Sequence, residues 1–142
     1  MGKKKSAKKK TASQPKIEEK SLKLDFGCGK NKKDGFEGVD CIKFDGVDHV
    51  VDLTKAPWPW KDNSVDEAHA SHFIEHLTGE QRVTFANELY RVLKPKGKCV
   101  TITPHWASCR AYGDITHQWP PVSEFWFYYL SKEWRCGDPA KG

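Results

Sequence analysis

Apolar residues along this chain fall into short runs rather than long ones. Leu22–Phe26, Gly38–Ile42, His49–Leu53, Val65–Ala70 and Lys98–Thr103 are each five or six residues, rich in Val, Ile, Leu or Phe. Each ends at glycine, proline or a polar cluster, which predicts five strands. A short helical turn through Leu77 follows the fourth run. Thr78–Leu93 is the clearest helix: Thr78 can cap it, Gln81 can complete a capping box, and Lys94-Pro95-Lys96-Gly97 stops it. Val83, Ala86, Leu89, Tyr90 and Leu93 are expected on one buried face. A second, aromatic helix is expected near Ser123–Leu130, after a loop holding Pro120 and Pro121.

Short strands alternating with crossovers predict an α/β fold, with an open, mostly parallel, Rossmann-like sheet. The link between the first two strands, Lys30–Glu37, has room for about one helical turn, short of a full strand–helix–strand unit.

The net charge of +5 divides unevenly. Residues 1–20 carry eight Lys and two Glu, whereas the rest of the chain is close to neutral. The expected organisation is a disordered Lys-rich tail over 1–20 and one α/β domain over 21–142. The tail suits weak contact with nucleic acid or another anionic surface. No apolar run is long enough to span a bilayer. Five cysteines without a Cys-x-x-Cys pair fit reduced thiols in the cytoplasm.

The chemistry centres on Leu22-Lys-Leu-Asp-Phe-Gly-Cys-Gly29. Gly27 and Gly29 let the chain turn tightly and let a ligand approach the main chain. A dinucleotide loop needs a third glycine at 32, which is Lys32, and Asp25 would repel a pyrophosphate. A ligand with a cationic end and a ribose fits better. Asp25 favours an ammonium or sulfonium, and Asp40, at the end of the second strand, can accept both ribose hydroxyls. S-adenosyl-L-methionine has these features.

Further stretches stand in order: Gly38-Val39-Asp40, then Val51-Asp52-Leu53 with Ala56–Trp60 and Asp62–Asp66, then Ala70–Leu77, then Glu88–Gly97. With the glycine loop they resemble the class I S-adenosylmethionine-dependent methyltransferases of the type 11 group over roughly residues 22–104. The resemblance implies that Asp25, Gly27, Cys28 and Gly29 line the methionine portion of the cofactor and that Asp40 binds the ribose. It also implies that Asp52 and Leu53 frame the adenine, and that Ser71 and His72 lie near the sulfonium and the incoming nucleophile. The family fold adds two strands after the fifth, so the sheet is expected to be truncated there.

The segment after the fifth strand is the candidate acceptor side, with His105, Asp114 and His117 as candidate catalytic residues. Asp114 and His117, three apart, are able to pair. Methyl transfer needs a base only if the acceptor must lose a proton early. His72-Phe73-Ile74-Glu75-His76 also spells an inverted zinc-protease motif, with Glu124 or Glu133 as a conceivable third ligand. That reading leaves the glycine loop and Asp40 unexplained, so no metal is expected. A non-catalytic cofactor-binding module and a tail-driven nucleic-acid binder stand as the competing classes.

Overall fold

The computed structural model describes residues 21–131, 134 and 136. The expected tail over 1–20 and the conceivable ligand Glu133 lie outside the described residues. Five strands form one sheet: β1 (Lys23–Phe26), β2 (Glu37–Asp40), β3 (Val47–Val50), β4 (Val65–Ser71) and β5 (Leu93–Ile102). The order is β3-β2-β1-β4-β5 and every pairing is parallel. Strand order reverses between β1 and β4, which places a ligand crevice at the carboxyl ends of the strands.

Boundaries moved where turn chemistry outweighed the apolar pattern. The third strand was expected over His49–Leu53 but ends at Val50, because the Asp52 carboxylate accepts the Thr54 N–H and folds the chain into a turn. The fifth begins at Leu93, yet it pairs regularly with β4 only from Lys98; Lys94–Gly97 forms an irregular stretch with Lys96 at φ 68°. No helix joins β1 to β2, only turns, in keeping with the short link.

The long helix α1 (Gly79–Val92) has the full capping box, the Thr78 side chain accepting from Gln81 N–H and Gln81 accepting from Thr78 N–H. Its buried face is not the expected one. Val83 is 60% exposed and Tyr90 86%, whereas Arg82, Phe85, Glu88 and Val92 are buried. Two charged residues on the inner face disguised the stripe. Arg82 goes inside because its guanidinium donates to the carbonyls of Ile74, Gln118 and Pro120. Glu88 goes inside because it accepts the Trp58 N–H and the Arg91 guanidinium.

Phe85 and Val92 pack with Leu24, Phe26, Ala68 and Ala70 to build the core on one face of the sheet. Trp58 completes it, 5.0 Å from the Phe26 ring and 5.4 Å from Phe85. On the opposite face, Asp25 and His69 form a buried pair at 2.7 Å beneath Phe36. A single turn η1 (Ile74–His76) follows β4, and after β5 the described residues include the short helices α2 (Cys109–Gly113), which the sequence did not signal, and α3 (Glu124–Tyr128), within the expected aromatic segment. Among the described residues the sheet stops at β5. No described helix is long and apolar enough to cross a membrane.

Candidate functional site

The glycine loop leaves β1 as an abrupt turn. Gly27 and Gly29 adopt φ 65° and 52°, in the left-handed region that a side chain penalises. The N–H groups of Gly27 and Cys28 both donate to the Val39 carbonyl, which ties the loop to β2. Asp40 sits at the end of β2 with Oδ2 accepting Gly29 N–H at 2.9 Å and Oδ1 accepting Ile42 N–H at 3.0 Å. A carboxylate has about four lone-pair sites, and Gly29 N–H, Ile42 N–H and the adjacent Cys41 thiol, a weak donor, draw on three of them. A ribose diol would take the fourth and displace the thiol. Gly29 faces open space, with nothing within 4 Å of where a Cβ would stand.

Gly27, Asp40, Asp52, Leu53, Thr54 and Phe73 line one crevice of about 50 Å³. This is well below the several hundred Å³ of a typical ligand site. Its wall over Gly27 is the Phe73 ring, so admitting an adenosine requires that ring to turn aside. With that movement the residues fit S-adenosylmethionine on its ribose side. Phe73 escaped the sequence reading; its only signal was an aromatic residue directly after His72.

Asp25, expected at the methionine end, is 3% exposed and lies beneath the loop. Its oxygens are taken by His69 Nδ1 at 2.7 Å and Lys33 N–H at 2.8 Å, so it holds the 30–36 turn against the sheet. Cys28 is buried against Gly38, and burial, followed by the nearby Asp25 charge, pushes its thiol pKa up. Asp52 is engaged by its own loop. The Thr54 hydroxyl, then Lys55, hold its carboxyl down to about 2.

Ser71, the last residue of β4, pairs with Ile102, and His72 just beyond it adopts φ 52°, its N–H donating to Ile102 O. His72, Pro104, Cys109, Arg110, Asp114 and His117 line an open cavity of about 750 Å³ at the same end of the sheet. Asp114 and His117 come together loosely, Oδ2 to Nε2 at 3.8 Å, because Asp114 Oδ1 accepts from the Thr116 hydroxyl and N–H. The same Thr116 hydroxyl draws the Asp114 carboxyl below its usual value. His105 begins the loop after β5 but does not line this cavity; its Nδ1 accepts Ala107 N–H and its ring packs 5.6 Å from Trp106.

A methyltransferase-domain family profile matches residues 31–101, half of the chain. The chain belongs to this family. It is a class I S-adenosylmethionine-dependent methyltransferase fold of the type 11 group, and S-adenosylmethionine is the family's cofactor. The match starts just past the glycine loop and takes in Asp40, Asp52, the turn after β4, α1 and all but the last residue of β5. Among solved structures, the chain is similar to a SAM-dependent methyltransferase from Archaeoglobus fulgidus, with 27% identity and a TM-score of 0.62. That likeness covers 78% of this chain and 58% of the other, so this chain spans less than two thirds of that relative's length. The PH0226 protein from Pyrococcus horikoshii OT3 aligns at 24% identity and a TM-score of 0.47, over 62% of this chain and 51% of that one. No curated protein matches the chain.

Proposed function

We propose that this chain binds S-adenosylmethionine in the crevice between β1 and β2 and transfers its methyl group to an acceptor held in the cavity after β4 and β5. The observation that carries the reading is Asp40, a strand-end carboxylate fixed by Gly29 N–H and Ile42 N–H, beside a loop that turns on two glycines. When bound, the cofactor supplies a methyl carbon already activated by its sulfonium.

The chain's own residues bind and position. Asp40 accepts the ribose hydroxyls, the main chain of Gly27, Cys28 and Gly29 takes the methionine portion, and Leu53 packs under the adenine. Asp52 shapes the adenine-side loop through Thr54 and Lys55. Asp25 acts from below, by holding the turn that frames the loop. Ser71 and His72 stand between crevice and cavity, and Asp114 and His117 face the acceptor, with His105 at the start of their loop. Holding two reactants in line is itself worth several kcal/mol, on the order of 7–11 in well-oriented cases. The domain is residues 21–142, and the Lys-rich 1–20 segment attracts phosphate-bearing surfaces without sequence preference. All five cysteines are free, which suits a reducing compartment such as the cytoplasm.

The alternative is a module that binds the cofactor without turnover. What favours it is that Asp114 and His117 meet only at 3.8 Å and that His105 does not line the acceptor-side cavity. Calorimetric titration with S-adenosylmethionine and with its demethylated product tests both readings, which expect saturable one-to-one binding. A well-folded chain that binds neither compound overturns them. Conversion of one compound to the other, followed by chromatography with candidate acceptors, separates enzyme from module.

A further inference from the structure

One cluster at the carboxyl end of the sheet shares only His117 with the methyl-transfer reading. Glu75, in η1, is 3% exposed, and its Oε2 has no hydrogen-bond partner among the described residues. Leaving a buried charged acceptor unsatisfied is costly. Its Oε1 lies 3.2 Å from His72 Nδ1. Arg82 packs nearby, but its guanidinium donates to the carbonyls of Ile74, Glu75, Gln118 and Pro120 and not to the Glu75 carboxylate.

Two imidazoles share the place. His117 Nδ1 is 3.2 Å from the Ala111 carbonyl, which only accepts, so Nδ1 carries the proton. The Thr116 hydroxyl donates to Asp114 Oδ1 at 2.6 Å, so it accepts from His76 Nδ1 at 3.0 Å. With Nδ1 carrying the proton, Nε2 of each ring is left as the ligating atom, the arrangement in which an outer partner orients a metal-binding histidine; Asp114 Oδ2 stands 3.8 Å from His117 Nε2, beyond hydrogen-bond distance. One ligating atom from each of Glu75, His76 and His117 lies within 4.8 Å of the others. The two rings stand 4.8 Å apart.

We propose that Glu75, His76 and His117 bind a zinc ion. Two imidazoles and a carboxylate form a donor set that zinc takes, with a fourth position open. Ligand bonds of about 2.1 Å place tetrahedral donors about 3.4 Å apart, so a side-chain movement of roughly 1 Å closes the site. The Ala111 carbonyl and the Thr116 hydroxyl are its outer partners. The spelling His-x-x-Glu-His suggested His72 and His76 as the pair; instead His72 stands outside the turn at φ 52°, and the loop after α2 supplies His117. The ion ties the turn after β4 to that loop, and its open position adjoins the cavity lined by His72, Asp114 and His117. The inference stands on these donors and does not depend on methyl transfer.

The test uses the full chain without a histidine tag, stripped with chelator and titrated with zinc alone, then with cobalt(II). One zinc per chain is expected, weakened at least about tenfold by His76→Ala and by His117→Ala. Glu124→Gln, a carboxylate on α3 outside the cluster, is expected to leave zinc affinity unchanged. Tetrahedral cobalt bands without a thiolate charge-transfer band are expected from the unsubstituted chain, a readout that needs no variant to fold. No zinc binding overturns the proposal, as does a thiolate band, or an affinity that His117→Ala leaves intact in a folded protein. Cofactor titration of the same samples is read separately, so a failed zinc site and a failed cofactor site are distinguishable.

Discussion

The Phe73 ring lies against the α-carbon of Gly27, so closely that a Cβ built there would meet Phe73 Cδ2 at 2.3 Å. Gly27 is therefore required twice, by its φ of 65° and by the ring above it. Gly29, at φ 52° with open space around it, is required only by conformation. Gly29→Ala is expected to cost about 1–2 kcal/mol of left-handed strain. Gly27→Ala adds about 1–3 kcal/mol for a displaced Phe73. Urea denaturation of the two variants checks the difference; equal losses would remove the Phe73 contact from the account.

How much of this was legible follows from what each feature depends on. The five strands and the capped helix were readable because apolar runs, Thr78, Gln81 and the Lys94–Gly97 stop are local signals. Asp40 was readable because a strand end fixes both its position and its direction. The inner face of α1 was not, since Arg82 and Glu88 go inside only because distant carbonyls and Trp58 N–H await them. Nor was the partnership of Glu75 with His117, which depends on how a long loop returns to η1. Asp25 is a mixed case: its place at the loop was evident, its partners His69 and Lys33 were not.

Asp40 joins the loop to the proposed cofactor, so its removal has two effects of different size. Asp40→Ala is expected to weaken S-adenosylmethionine binding by about 1–3 kcal/mol through the lost charged acceptor. Asp40→Asn keeps an acceptor for Gly29 N–H and is expected to lose less. Calorimetry on both variants, with folding checked by circular dichroism, makes the comparison. An unchanged affinity in Asp40→Ala would remove the ribose assignment.

Asp52 links the adenine-side loop to pH. Its carboxyl is held at about 2 against an ordinary 3.8 by the Thr54 hydroxyl and then Lys55. Between those values the unfolded chain binds more protons than the folded one, so stability falls as pH falls. The contribution is full above about pH 4 and gone near pH 2. Asp52→Asn is expected to be less stable than the parent at pH 6 and to converge with it toward pH 2. Its size is small, because the side chain is 42% exposed. A constant difference across the range would mean that the carboxylate charge plays no part.

Glu88 holds to α1 the loop carrying the core residue Trp58 and Trp60, which packs against the core. Its carboxylate accepts Trp58 N–H at 2.6 Å and Arg91 Nε and Nη2 at 2.9 and 2.6 Å, while Arg91 reaches on to the Trp60 carbonyl and Asp62. The Arg91 guanidinium, through its hydrogen bonds, draws the Glu88 carboxyl below its ordinary value. Glu88→Ala leaves a buried N–H and an arginine without their acceptor, at an expected cost of about 1.5–3 kcal/mol. Glu88→Gln keeps one oxygen for Trp58 N–H and is expected to lose less. Because Trp58 packs on Phe26 directly below the glycine loop, the alanine variant is also expected to weaken cofactor binding without touching the site. Denaturation read by tryptophan fluorescence, paired with cofactor titration, tests both parts. Full stability in Glu88→Ala would show that packing of Trp58 alone holds the loop in place.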